Sequence, residues 1–474
     1  MRTLSALLLL ASSALGAEKP NVLFIVSDDL CNVQGCYGNT VCQTPNLDKL
    51  AAKSVKFDRA YCQFPLCNPS RASFLTGLRP DTLKVYENAT QFRKNVPDAQ
   101  SLPQTFRKAG YYAGRVGKLY HYGVPAQIGT DGLDDPPSWE KVVNPRGRDK
   151  DDEENNLIYS LNAAGKGSGR YGGTLSWFAS EGKDEEMTDG KIAAEVIGQL
   201  AANKDKAFFL ACGFFRPHTP YVSPKKYFDM YPTEKIVLPV VPKDHKASAP
   251  DAAFGSAKPE QAKLTDDLRR QAIQAYYASV SFMDAQVGLV LEALEKNKLT
   301  ENTVVVFISD HGYHLGEHGL WQKMSLFENS ARVPMLIYDP RSKGNGKACA
   351  RTVELVDLHA TLAEVCGLPA PKTDGKSLKP LLDDPTAAWD KPAITQVSRG
   401  TPTMTGETTP KGQPWFLGYT VRTEKYRYTE WDGGNKGVQL YDMTTDPGEE
   451  KNLAADPKFT DVVKSMKAMI PAGK

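Results

Sequence analysis

Two apolar runs of this chain end in the same way, and that repetition limits the folds open to it. Val22-Leu-Phe-Ile-Val-Ser leads into Asp28 and Asp29, and Val304-Val-Val-Phe-Ile-Ser leads into Asp310, His311 and Gly312. A short, unbroken apolar run suits a strand buried on both faces, as in parallel sheets covered by helices. Further strands are expected at Tyr111–Val116 and Ala207–Cys212, with the second of the matched runs spanning Thr303–Ile308. Helical patterns lie between them. Asn46 to Ser54 reads as a short helix with an Asn cap, Ser101-Leu-Pro-Gln opens a helix that Gly110 ends, and Ile192–Leu200 is helical. Thr265-Asp-Asp-Leu opens a long helix with Leu268, Ile273, Tyr276, Val280, Met283, Val287 and Val290 on or near one face. A last one, Leu355–Val365, stops at Gly367. This order predicts an α/β fold, a mostly parallel central sheet flanked by helices.

From about Thr386 the texture changes to short Thr/Tyr-rich strands such as Tyr419–Arg422 and Tyr426–Trp431, which predict a small antiparallel C-terminal subdomain. The expected division is therefore 18–385 and 386–474, and 474 residues suffice for one large domain and one small. Gly129–Lys183, rich in Gly, Asp, Glu and Lys, is expected to be loop that rims a functional site. Residues 1–17 carry Arg2, an apolar run Leu4–Ala11 and then mostly small residues to Ala17, the pattern of a secretory signal peptide. Export follows, and no later stretch is long and apolar enough for a membrane span. A net charge of +2 gives no reason to expect nucleic acid or an acidic membrane as partner. Eight cysteines in an exported chain allow disulfides; Cys349 with Cys366 is one candidate pair, while Cys212 sits in an apolar run and reads as core.

In open α/β sheets ligands bind beyond the carboxyl ends of the strands, where Asp28, Asp29 and Asp310 would sit. Three carboxylates gathered there would repel one another unless a cation neutralised them, and a hard divalent ion with oxygen ligands at ~2.3–2.6 Å meets that need. At either strand taken alone each Asp also reads as the cap of a following helix. The matched pair favours the metal.

A second stretch, Cys67-Asn-Pro-Ser-Arg-Ala-Ser-Phe-Leu-Thr-Gly77, places a thiol just before an expected helix start, with Arg71 four residues on. From the residues alone Cys67 is a nucleophile or sensor, or else a buried thiol with Pro69 as the first residue of a helix. The stretch also resembles the signature of the type I sulfatases. F-I-V-S-D-D, G-K-L-Y-H, F-R-P-H-T-P, S-D-H-G-Y-H-L-G-E-H-G-L-W-Q-K and Y-T-V-R-T-E-K-Y-R-Y extend the likeness over nearly the whole mature chain, closest to the iduronate-2-sulfatase-like branch.

The resemblance implies an alkaline-phosphatase-like fold and a sulfuric ester hydrolase acting on a sulfated carbohydrate. It implies that a maturation enzyme oxidises Cys67 to formylglycine, whose hydrate attacks sulfur with one hydroxyl and later expels sulfate with the other. Asp28, Asp29, Asp310 and His311 would hold calcium together with the modified Cys67; many arylsulfatases have Asn at the position of His311. Arg71 would stabilise the hydrate, Lys118 and Lys323 would bind sulfate oxygens, His121 would contact the nucleophile, and His218 would protonate the leaving alcohol. Each lysine taken alone reads as a solvated charge and His218 as a loop histidine between prolines. His314 and His318 are expected to orient neighbours or touch substrate, and His245 and His359 to be structural. Location would be periplasmic or extracellular, or lysosomal in an animal. A phosphonate or phosphate ester hydrolase of the same superfamily, or a silent glycan-binding relative with unmodified Cys67, are the competing readings.

Overall fold

Seven of the eight strands in the main sheet run the same way, and the loops beyond their carboxyl ends share one rim. A computed structural model describes residues 19–165, 170–369, 371–400 and 415–471. The strands are β1 Asn21–Ser27, β2 Val55–Tyr61, β3 Tyr112–Gly117, β4 Lys141–Val143, β5 Phe208–Gly213, β6 Thr303–Ser309, β7 Arg332–Tyr338 and β8 Ala348–Glu354. Their order across the sheet is β8-β2-β7-β6-β1-β5-β3-β4, and only β7 is antiparallel to its neighbours. β1 and β6 are the matched apolar runs, buried throughout. Their register pairs Ser27 with Ser309, so Asp28 and Asp310 leave the sheet side by side.

Alternation along β1 sends Leu23 and Ile25 into one core and Val22, Phe24 and Val26 into the other. The first core is covered by α4 (Thr188–Ala202) and the long α5 (Asp266–Lys296), through Ile192, Val196, Tyr276, Val280, Met283, Val287 and Val290. The second is covered by α2 (Cys67–Thr76), α3 (Leu102–Lys108) and α6 (Leu358–Val365), through Phe74, Leu75, Phe106, Leu358 and Leu362. A capping box between Ser101 and Gln104 starts α3. The short α1 (Pro45–Ala51) departs from expectation: its N-cap is Thr44, and no side chain of its own caps it. Asp284 of α5 accepts instead from the backbone N–H groups of Asn46 and Leu47, at 3.1 and 2.8 Å. A carboxylate arriving from another helix does the work assigned to Asn46.

Four antiparallel strands form a second sheet, β9 (Ala393–Arg399), β10 (Phe416–Arg422), β11 (Tyr426–Trp431) and β12 (Val438–Asp442), in sequence order. Residues 1–17, read above as a signal peptide, lie outside the described residues. Among the described residues no helix is long and apolar enough to cross a membrane. All eight cysteines are free thiols, so the Cys349–Cys366 pair is not formed. Gly129–Lys183 also differs from the loop expected. Its described residues contain β4, a helix Arg148–Glu154 and two strands, Tyr159–Ser160 and Ser176–Ser180, that join Tyr221–Pro224 in a third sheet. Acidic helix faces and a three-residue edge strand lack the apolar periodicity that marks buried elements.

Candidate active site

The rim positions four groups from adjacent strands. Asp28 and Asp29 follow β1, Asp310 and His311 follow β6, Lys118 follows β3, and the segment Phe214–His218 follows β5. Lys118 is set by a glycine pair: a Cβ on Gly117 would stand 2.2 Å from the Gly213 carbonyl oxygen, and one on Gly213 would stand 2.1 Å from the Lys118 oxygen. Gly117 also has φ +75°, which a side chain would disfavour. The bare backbones close on each other, and the Lys118 N–H donates to Gly213 at 2.8 Å.

Cys67 is the first residue of α2, every residue of which is buried. One turn on, Arg71 lies wholly inside the protein between the two aspartates. It donates to Asp28 Oδ1 at 2.9 Å and to Asp310 Oδ2 at 3.0 Å, and to the carbonyls of Lys118 and Leu119 at 2.8 and 3.0 Å. The guanidinium thus stands behind the carboxylates and fixes their spacing. Ser70 Oγ donates to the Asp310 carbonyl on the same helix face. Lys118 Nζ reaches Asp28 Oδ2 at 2.5 Å, and Lys323 Nζ reaches Asp29 Oδ1 at 2.6 Å and Cys67 Sγ at 3.2 Å. His311 Nε2 lies 3.4 Å from Cys67 Sγ, 3.2 Å from Asp29 Oδ1 and 3.5 Å from Asp310 Oδ2.

The field at Cys67 is strongly positive. Burial alone would raise the thiol, but Lys118 and Lys323, with hydrogen bonds from His121 and His218, bring it well below the usual thiol range. Burial pushes Asp310 up to about 7 against the pull of Arg71 and His311. Asp28 is also buried, yet Lys118 holds it below the usual carboxylate range. His311, which burial would lower, is raised to about 9 chiefly by Asp310. An anion attached at residue 67 is stabilised here; a neutral group gains little.

The carboxylate set fits a hard cation. Ligand atoms of Asp29, Cys67, Asp310 and His311 all lie within 4.8 Å of one another, as do those of Asp28, Asp29, Cys67 and His218. Asp29 Oδ2 is buried without a hydrogen-bond partner among the described residues, although Asp29 holds an uncommon φ of +67° to present it. An orphaned carboxylate oxygen in such a cluster is the acceptor a metal would use.

His218 sits in a segment that buried charge holds in place. The N–H groups of Phe215 and Arg216 donate to Asp189 at 2.9 and 3.0 Å, and Arg216 donates to Asp149 Oδ2 at 2.7 Å and to the carbonyls of Val222 and Pro220. His218 Nδ1 donates to the Thr219 carbonyl at 2.5 Å, so Nε2 is the nitrogen that faces the site, 3.8 Å from Asp29 Oδ2. A cavity of about 600 Å³ opens over the site, lined among others by His121, His218, Lys258, Gln322, Lys323 and Arg399.

Every site residue expected from the sequence is therefore gathered here. His314 and His318 are not among the residues lining the cavity: His318 Nδ1 meets His245 Nε2 at 2.8 Å and stacks on Phe327, and His314 meets Ser325 Oγ at 2.7 Å. His359 bonds to Thr105 Oγ1 at 2.9 Å. Sequence reasoning missed Asp149, Asp189, Lys258 and Arg399. Only Arg216, inside F-R-P-H-T-P, signalled that a buried carboxylate would be needed.

Comparison with known proteins agrees with this geometry. Residues 20–368 match the family described as Sulfatase, and residues 316–473 match one described as N-sulphoglucosamine sulphohydrolase, C-terminal. A sulfatase of Formosa agariphila is 33% identical over 96% of this chain and 87% of its own length. Mouse iduronate 2-sulfatase is 30% identical over 98% of both chains. Among solved structures, a phosphonate monoester hydrolase from Silicibacter pomeroyi superposes with TM-score 0.75 at 22% identity, over 95% of this chain and 94% of that one. The chain belongs to the sulfatase family.

Proposed function

We propose that this sulfatase is exported and hydrolyses sulfate esters of carbohydrates, using a formylglycine made from Cys67 and a calcium ion held by Asp28, Asp29, Asp310 and His311 beside residue 67. The observation that carries the reading is Lys323 Nζ, placed 3.2 Å from Cys67 Sγ while it pairs with Asp29 at 2.6 Å. A cation wedged between residue 67 and a carboxylate cluster suits an oxyanion bound at that residue.

When formed, the hydrated aldehyde at residue 67 supplies a nucleophilic hydroxyl and a second hydroxyl through which sulfate is later expelled. When bound, the calcium ion supplies Lewis-acid charge at the sulfate oxygens. Lys118 and Lys323 hold two oxygens of the sulfate group and balance its charge. Arg71 keeps Asp28 and Asp310 apart and aligned, so it acts through them. His121 lines the cavity, and its imidazole, lowered by burial, accepts a proton from the nucleophile. His218 carries its Nδ1 proton on the Thr219 carbonyl and gives an Nε2 proton to the sugar oxygen as the S–O bond breaks. A sugar alcohol leaves poorly without that proton, so a dedicated acid suits a carbohydrate ester better than an aryl one.

The test joins two measurements on protein purified after co-expression with a formylglycine-generating enzyme. Mass spectrometry of the peptide containing residue 67 is expected to show an aldehyde in place of the thiol. Sulfate release from a panel of sulfated oligosaccharides is expected, with matched phosphonate esters turned over more slowly. Faster phosphonate cleavage would favour the second reading, which the activity named for the Silicibacter pomeroyi neighbour suggests. An intact thiol in protein that binds sulfated glycan without cleaving it would make the chain a silent relative.

A further inference from the structure

Two cations line the cavity without a role in the chemistry above. Arg399, the last residue of β9, is only 8% exposed, yet no acidic side chain pairs with it among the described residues. Its Nε donates to the Ala252 carbonyl at 2.8 Å, and Nη1 donates to the Met324 and Ser398 carbonyls at 2.9 and 3.2 Å. Its Nη2 is buried and has no partner among the described residues. The guanidinium carbon stands 4.7 Å from the Trp431 ring centre, and Gly255 packs so closely that a Cβ there would lie 2.6 Å from Nε. Backbone, glycine and indole thus fix the plane of a charge that no carboxylate among the described residues neutralises. Lys258 Nζ donates to Gln322 Oε1 at 2.6 Å and to the Gly173 carbonyl, again neutral oxygens. Gln322 and Met324 are the two neighbours of Lys323, so one short segment ties both cations to the lysine beside Cys67.

A buried charge held rigidly by neutral acceptors is costly unless a ligand completes it. Burial lowers Arg399 to about 10 and, against the pull of Glu260, Lys258 to about 8, so both stay protonated at neutral pH. We propose that Arg399 and Lys258 form a second anion subsite, which takes an acidic substituent of the sugar, a carboxylate or a second sulfate, while Lys118 and Lys323 hold the sulfate that is cleaved. The uncommitted N–H groups of Nη2 can donate to either oxyanion in charge-assisted hydrogen bonds. The inference deepens the proposed function and rests on it: the substrate class narrows to sugar sulfates bearing a second negative charge.

Three substrates separate the possibilities: a neutral hexose 2-sulfate, a hexuronate 2-sulfate and a hexose disulfate. Arg399→Gln and Lys258→Gln are expected to raise KM on the preferred doubly charged substrate by roughly 10- to 100-fold. On the neutral hexose sulfate the change is expected to stay within about threefold, and Arg399→Lys to recover part of the loss. Preference for the hexuronate over the disulfate assigns a carboxylate; the reverse assigns a second sulfate. Equal losses on charged and neutral substrates, or no preference of the wild-type enzyme for either charged sugar, would overturn the subsite and leave the sulfatase reading intact. Calorimetric binding of unsulfated hexuronate and of inorganic sulfate to the same variants reads the subsite without turnover. Affinities unchanged from wild type for both probes overturn it even if no ester is cleaved, an outcome that by itself counts against the proposed function. Lys258→Gln is the less buried change, so it decides the matter if Arg399→Gln does not fold.

Discussion

Asp149 accepts a hydrogen bond from Arg216 at 2.7 Å, with both side chains almost wholly buried. Asp149 belongs to an acidic helix that the sequence leaves looking like surface, and Arg216 lies two residues before His218. Its other oxygen accepts from the backbone N–H and hydroxyl of Thr188 at 2.8 and 2.6 Å, which ties the pair to the start of α4. Asp149→Ala would leave the buried Arg216 guanidinium hydrogen-bonded to carbonyls alone, with Asp189 the remaining carboxylate nearby. The expected loss is about 3–5 kcal/mol of stability, read by urea denaturation. Activity should fall with it, because the segment that aims His218 loses its anchor. Full stability in this variant would show that the pair is dispensable.

His218 is expected to matter in proportion to how badly the leaving group departs. Replacement by Ala should lower kcat on a sugar sulfate by roughly 10²–10⁴-fold, the usual worth of a positioned general acid. On 4-nitrophenyl sulfate, whose leaving group needs no proton, the loss should be far smaller. Steady-state kinetics on the two esters checks this. Equal losses would move His218 from proton donor to a positioning or binding role.

The sheet and most of the site could be read from the sequence because both depend on contiguous residues. The apolar run before Asp28 makes β1, and the residues after it must then fall at the rim. Cys67 and Arg71 share one helical turn, so their proximity needs no tertiary information. Asp149 and Arg216 are joined only by folding, across 67 positions, and a carboxylate in an acidic helix gives no sign of being buried. Arg399 was hidden for the same reason. Its meaning lies in the carboxylate that is not beside it, and only the packed structure shows that. The cap of α1 failed as a local reading because Asp284, from α5, outcompeted Asn46 for the free backbone N–H groups.

Chelation tests the cation proposed among Asp28, Asp29, Asp310 and His311. Treatment with EGTA is expected to abolish turnover and lower the melting temperature, since a ligand that binds only the folded state stabilises it by mass action. Calcium should restore both, and magnesium less fully, because it dehydrates reluctantly and demands an octahedral shell. Asp29→Asn should reproduce the effect without chelator, as it converts the orphaned Asp29 Oδ2 to a weaker or non-ligating atom. Unchanged melting and activity after exhaustive chelation would remove the metal from the account.

The histidines outside the cavity carry an acid sensitivity of their own. Burial pushes His314 down to about 3 and His318 down to about 2, the latter helped by its histidine neighbours His314 and His245. His318 stacks on Phe327 with ring centres 4.0 Å apart. Among the described residues the carboxylate within reach, Glu449 at 3.8 Å, is already paired with Arg427 at 2.9 Å. Unfolded, each histidine would titrate near 6.5, so below that pH the unfolded chain binds more protons than the folded one. Their contribution to stability is complete above about pH 6.5 and falls by about 1.4 kcal/mol per pH unit for each histidine as the medium is acidified, down to the folded values. His318→Gln removes one such group. Its stability deficit relative to wild type should be largest at pH 7.5 and shrink steadily towards pH 4.5 in urea denaturation series. A deficit that stays constant across that range would mean that His318 takes up its proton without penalty in the folded protein.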